Sequence, residues 1–203
     1  MIDAALLPLQ RAALAPPAAW LAARGVRADQ VTIFGFALGL GAFAALWAGA
    51  FPLALALIAL NRLCDGLDGA IARITGPTER GAFLDIALDF LFYALVPLGF
   101  ALTDPARNAL PAAVLITAFV GTGSSFLAFA AVAARRGLAT PAYPHKGLAY
   151  LGGLTEGAET IAIFAAMCLW PAAFPVLALL FAAACALTTF MRWVLAWRAF
   201  TTE

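Results

Sequence analysis

Six apolar runs, each close to the length needed to cross a bilayer, constrain this chain of 203 residues more than any other feature. They lie at about 30–50, 52–73, 81–103, 108–134, 150–170 and 172–198. A helix rises about 1.5 Å per residue, so roughly 20 apolar residues cover the ~30 Å hydrocarbon core. Little polar sequence is left over: charged residues make up 11% and hydrophobic residues 65%. An ordinary soluble domain carries about 25% charged residues. The charges here are too few to clothe a soluble surface, which excludes a soluble enzyme, a disordered chain and a nucleic-acid binder. The expected fold class is an all-α integral membrane protein with six transmembrane helices.

The N-terminal stretch differs from the six runs. Residues 3–23 are rich in Ala and Leu but contain Pro8, Arg11, Pro16 and Pro17. They read as an amphipathic helix lying on the membrane surface rather than as a seventh span. Residues 1–29 then form a juxtamembrane segment, and residues 30–203 the six-helix domain. Met1-Ile2-Asp3 has no basic region and no cleavage site follows, so no signal peptide is expected. Cys64, Cys168 and Cys185 are odd in number and lie in apolar runs, as small buried hydrophobes do.

The basic residues set the orientation. Arg11, Arg24, Arg27, Arg73, Arg80, Arg135, Arg136, Lys146, Arg192 and Arg198 fall on one side of a six-span chain. Arg107 falls on the other, and Arg62 lies within the second run. By the positive-inside rule both termini and the 2–3 and 4–5 connections are cytoplasmic, in an inner (cytoplasmic) membrane.

The acidic residues are distributed quite differently. Of 11, six sit inside apolar runs: Asp65, Asp68, Asp85, Asp89, Glu156 and Glu159. An acid at mid-bilayer costs on the order of 2.5–3.5 kcal/mol, so such residues mark function. Interhelical salt bridges are the plain alternative, but only Arg62 and Arg73 are near in sequence, too few for four aspartates. With 100° per residue, Asp68 lies about −60° from Asp65, Gly69 about +40° and Ala72 about −20°, so they share one stripe, with Arg73 beside it. Gly81, Asp85 and Asp89 are spaced by four and share a face of the next run. About seven residues, 74–80, join the two runs, which makes them antiparallel neighbours with both acidic faces near the cytoplasmic side. Four converging carboxylates form an all-oxygen set suited to Mg²⁺ or Mn²⁺. Two ions are plausible for phosphate chemistry. Gly66, Gly69 and Ala72 read as room for a ligand against the backbone.

The pattern Asp65-x-x-Asp68-Gly69-x-x-Ala72-Arg73, then Gly81-x-x-x-Asp85-x-x-x-Asp89, resembles the signature of the CDP-alcohol phosphotransferase (phosphatidyltransferase) family. The family usually has eight residues between Ala-Arg and the second Gly; here there are seven, Ile74 to Arg80. Relatives often carry Asn-x-x-Thr near span 1, where this chain has Asp29-Gln30-Val31-Thr32, and Asp29 is expected to cap a helix. The resemblance implies transfer of a phosphatidyl group from CDP-diacylglycerol to a small alcohol, release of CMP, and a homodimer. It implies metal ligation by Asp65, Asp68 and Asp85, with Asp89 as general base that also touches a metal. It implies that Gly69, Ala72 and Arg73 line the nucleotide site.

Other readings remain beside it. Glu156 and Glu159 share a face, either paired with Lys146, Arg135 or Arg136 or recognising the acceptor. His145 and Lys146 are a solvated loop pair or bind an acceptor phosphate. The basic 4–5 connection favours a phosphorylated polyol such as glycerol 3-phosphate. A cation or proton transporter would explain the acids but not the Gly-Ala-Arg spacing, and no inverted repeat is visible. A Mg²⁺-dependent membrane prenyltransferase is the second rival.

Overall fold

The computed structural model describes residues 2–137 and 155–201, all of it helix and short connections. The helices are α1 (Ile2–Ala23), α2 (Ala28–Trp47), α3 (Phe51–Thr75), α4 (Glu79–Thr103), α5 (Pro105–Arg135), α6 (Gly157–Leu169) and α7 (Phe174–Phe200), with a 3-10 turn at Pro171–Ala173. Each apolar run is matched by a helix to within a few residues, except that the described part of the fifth begins at Gly157. Four helical segments are long and apolar enough to cross a membrane: Ala28–Trp47, Glu79–Thr103, Pro105–Arg135 and Pro171–Phe200. With 25 residues, α3 has the length. What sets it apart is the charge carried by its C-terminal half, Arg62, Asp65, Asp68 and Arg73.

Contacts between helix ends show the alternation. Thr103 Oγ1 at the end of α4 donates to Leu46 O at the end of α2 at 2.5 Å. Arg107 in the first turn of α5 donates to Ala172 O, in the turn before α7, at 2.5 Å. At the opposite end, Arg80 beside the start of α4 meets Asp29 at the start of α2. Arg136 after α5 donates to Phe200 O at the end of α7. The bundle thus has one end that is nearly uncharged and one that gathers the basic residues.

Close approaches position α2, α3 and α4. A Cβ on Gly35 would lie 2.8 Å from Cys64 Cβ of α3, and one on Gly39 2.8 Å from the Phe92 ring of α4. Small residues of this kind let membrane helices pack backbone to backbone. The core behind them is built from Ile58, Phe92, Val96, Phe100, Leu115, Phe164, Met167 and Phe174. Phe100 stacks on Phe174 with ring centroids 4.4 Å apart. Large apolar side chains face outward all round, among them Leu53, Leu110, Val120 and Leu180, as lipid contact requires. Phe92 is fully buried, so a methyl at position 39 has nothing soft to displace. Gly39→Ala is expected to lose about 1–3 kcal/mol, read as earlier loss of folded protein in detergent melting curves.

Two elements at the basic end of the bundle bear on the site. The prolines do not break the N-terminal segment: α1 runs on past Pro8, Pro16 and Pro17. Leu14 and Ala18 of α1 are buried against Ala70 and Ile71 of α3, and this packing holds the helix across carbonyls that the prolines leave without a donor. The link between α3 and α4 is also shorter than seven residues. Helix continues to Thr75, Thr78 caps α4, and only residues 76–78 intervene. Gly76 takes a φ of 96°, a left-handed value that favours glycine.

Candidate active site

The short link joins α3 and α4 as antiparallel helices, but they are not the direct neighbours expected: each packs along α2, which holds them side by side with little contact between their backbones. Thr78 Oγ1 accepts from the Gly81 N–H at 3.0 Å, which fixes where α4 starts. From there Asp85 and Asp89 follow one and two turns on, opposite Asp65 and Asp68. All four carboxylates line a single cavity of about 20 Å³, together with Thr32, Asn61 and Arg62 among others. The space between the carboxylates is enough for water or an ion, and the cavity is open on one side. Asp68 is buried, at 5% exposure, and Asp65, Asp85 and Asp89 are half-buried.

Two partners organise the carboxylates. The Thr32 hydroxyl, on α2, donates to Asp68 Oδ2 at 2.5 Å. Arg62 Nη1 donates to Asp89 Oδ1 at 2.6 Å and stands 3.8 Å from Asp65 Oδ2. Asn61 fixes the arginine in turn: its Oδ1 accepts from Arg62 Nε at 2.7 Å, while its Nδ2 donates to Gly35 O of α2 at 2.8 Å. With one guanidinium among four carboxylates, the cavity carries a formal charge of −3. A cluster of that sign in a lipid-bounded protein calls for cations.

Arg62 is the residue of this cavity that sequence reasoning undervalued. It lies three residues before Asp65, about 60° round the helix, so the i,i+3 spacing was a usable signal. Thr32 was noted only as part of a departing motif, and its bond to Asp68 gives it a role. Asp29 does not cap α2. The residue before the helix is Arg27, whose N–H donates to Gln30 Oε1 at 3.0 Å. Asp29 instead sits in the first turn, where an acid favours the helix dipole, and accepts from Arg80 Nη2 at 2.5 Å.

The small residues separate by role. A Cβ on Gly66 would lie 2.6 Å from Leu14 Cδ1 and 2.9 Å from Gln10 Nε2. Gly66 therefore packs against α1 and leaves no room for a ligand. A Cβ on Gly69 would meet only Arg73 Nη1, at 3.6 Å, so that face of α3 is open. Gly69, Ala72 and Arg73 do not line the carboxylate cavity. They continue α3 toward its exposed, basic end, where Arg73 is exposed.

Glu156 and Glu159 lie at the start of α6 and cap it: Glu159 Oε2 accepts from the Glu156 N–H at 3.3 Å. Arg136 stacks its guanidinium over the Phe200 ring, 5.2 Å from the centroid. His145 and Lys146 lie outside the described residues.

Among the described residues no three His, Cys, Asp or Glu side chains already form a metal-ligating group. The rotamers explain this, because Asp89 is turned to Arg62 and Asp68 to Thr32. The donor chemistry nonetheless fits a hard divalent cation: four carboxylates on two helices share one small polar cavity, with no nitrogen or sulfur ligand lining it.

Comparison with known proteins bears on this geometry directly. The family model for CDP-alcohol phosphatidyltransferase matches residues 26–201. The chain is 55% identical over 168 residues to the inner membrane protein YnjF of Escherichia coli, covering 83% of this chain and 82% of that protein. It is 38% identical over 88 residues to an archaetidylinositol phosphate synthase of Pyrococcus horikoshii, covering 43% and 47% of the two chains. In structure it resembles the Mycobacterium tuberculosis phosphatidylinositol phosphate synthase PgsA1, solved with CDP-DAG bound. There the TM-score is 0.66 and the identity 26%, over 91% of this chain and 93% of the other.

Proposed function

Since the chain belongs to the CDP-alcohol phosphatidyltransferase family, and is thereby a multi-pass membrane transferase, we propose that it moves a phosphatidyl group from CDP-diacylglycerol to a small alcohol and releases CMP. One observation carries the reading: four carboxylates from α3 and α4 surround one cavity at the basic end of the bundle. An open face of α3, ending in Arg73, lies beside it.

Asp65, Asp68 and Asp85 would hold divalent metal, Mg²⁺ or Mn²⁺, in one or two ions, with Asp89 at the edge of the set. Bound metal supplies positive charge against the donor diphosphate. Arg73 adds a cation on the nucleotide side, with Gly69 and Ala72 leaving the backbone approachable there. Asp89 accepts the proton of the acceptor hydroxyl. The acceptor oxygen then bonds to the lipid-side phosphorus, and the bond from that phosphorus to the CMP oxygen breaks. Termini and site face the cytoplasm, so CMP stays in water while acyl chains remain in the bilayer. In this arrangement α1 lies on the membrane surface against α3, six helices span the bilayer, and the protein works as a homodimer.

The acceptor proposed is a phosphorylated polyol, such as glycerol 3-phosphate or an inositol phosphate. Support comes from the basic connection after α5 and from relatives named as synthases of inositol phosphate lipids. No specific observation favours a transporter or a prenyltransferase. The test is release of CMP from CDP-diacylglycerol by purified protein, across a panel of alcohols and phosphorylated polyols, with mass spectrometry of the lipid product. The expected result is CMP formed in step with one phosphorylated product lipid. CMP formation with none of the panel would overturn the reading.

A further inference from the structure

Arg62 is seated in the carboxylate cavity from four sides. Asn61 holds Nε at 2.7 Å, Asp89 holds Nη1 at 2.6 Å, and the Tyr93 hydroxyl lies 3.4 Å from the same nitrogen. The guanidinium carbon sits 4.5 Å from the Phe92 ring centroid. Its side chain is only 17% exposed. A cation fixed this firmly by a neighbouring amide and an aromatic face is a built element, not a surface ion pair. It also divides the four acids unequally. Asp68 is oriented from the other side by Thr32, Asp65 is only within 3.8 Å of Arg62, and Asp89 accepts from Arg62 at 2.6 Å.

We propose that Arg62 is the positioning residue for Asp89: it holds that carboxylate away from the divalent cation, so that the cation is carried by Asp65, Asp68 and Asp85 and Asp89 stays available to the acceptor hydroxyl. The inference rests on the metal-and-base reading above. A bare fourth carboxylate beside a divalent cation would ligate it and lose basicity to the double charge, more than it loses to the single charge of a guanidinium. The guanidinium competes for the same oxygen and is anchored through Asn61 to the α2 backbone at Gly35. It can therefore yield to the acceptor without leaving the cavity.

The experiment measures Mn²⁺ binding to full-length, detergent-solubilised protein by loss of the free-ion EPR signal, with no donor or acceptor present. Arg62→Gln is expected to bind Mn²⁺ about tenfold more tightly than the wild type, and adding Arg62→Gln to Asp89→Asn to change affinity less than about threefold, because close partners couple. In turnover, Arg62→Gln is expected to lose kcat while the donor KM moves less than about twofold. Equal tightening with and without Asp89 would mean plain charge repulsion and overturn the proposal, as would unchanged or weaker binding. Should Arg62→Gln fail to fold, Arg62→Lys decides. Lysine keeps the charge but cannot fork between Asn61 and Asp89, and Mn²⁺ should bind about threefold more tightly; unchanged affinity again overturns the idea. A wild type that binds no Mn²⁺ removes the metal reading itself, whereas failure of the present inference shows only in the variants.

Discussion

Asp89→Asn is expected to slow CMP release from CDP-diacylglycerol by about 10²–10⁴-fold, the usual loss when a general base is removed. Asparagine matches aspartate in shape, and its Oδ1 can still accept from Arg62, which now lies 2.6 Å from that position. The half-buried cavity keeps its volume, and its formal charge changes by one. What disappears is the ability to take a proton from the acceptor hydroxyl. The loss should therefore fall on kcat, with the donor KM little altered, since Asp89 lies away from the Gly69–Arg73 face of α3. Radiolabelled CMP release at saturating metal measures it, and gel filtration confirms the fold. A variant that turns over within about threefold of wild type would remove Asp89 from the role of base.

Metal removal should be at least as severe. Thorough chelation is expected to suppress CMP release by at least about 10²–10³-fold, because cations at a transferring phosphate supply several kcal/mol of charge stabilisation. Added Mg²⁺ or Mn²⁺ should restore it. The structural reason is the cavity's charge: three negative charges remain after Arg62 is counted, and a diphosphate brings more. No second cationic side chain reaches that cavity among the described residues; Arg73 stands outside it. Asp68→Asn ought to raise the metal concentration needed for half activation, since Asp68 is the most buried of the four and is aimed by Thr32. Full activity in chelator would exclude the metal assignment while leaving family membership untouched.

Much of this was legible in the sequence because hydrophobic period and charge phase report the faces of single helices. The apolar runs located α2 to α5 and α7 to within a few residues, and four-residue spacing placed Asp85 and Asp89 on one face. Period says nothing of what stands opposite a face. The Gly66 stripe looked open until α1 supplied Leu14 and Gln10. Asp29 looked like a cap because Arg80, 51 residues away, is not visible locally. Arg62 was visible, but its loyalty to Asp89 rather than Asp65 depends on a rotamer set by Asn61 and Phe92. The prolines of α1 signal a break in an isolated helix, and packing on α3 overrode them.

The link at 76–78 bears on how such a chain can change in length. The capped start at Thr78 anchors the rotation of α4, and the left-handed Gly76 ends α3, so the two registers are fixed independently of how many residues lie between them. A residue lost there would shorten a tether and leave the carboxylates lining one cavity. The same loss a few residues later, between Gly81 and Asp85, would swing everything on one side of it by about 100° relative to the other. The link therefore concentrates tolerance to insertion and deletion in three residues and leaves almost none in the turns on either side.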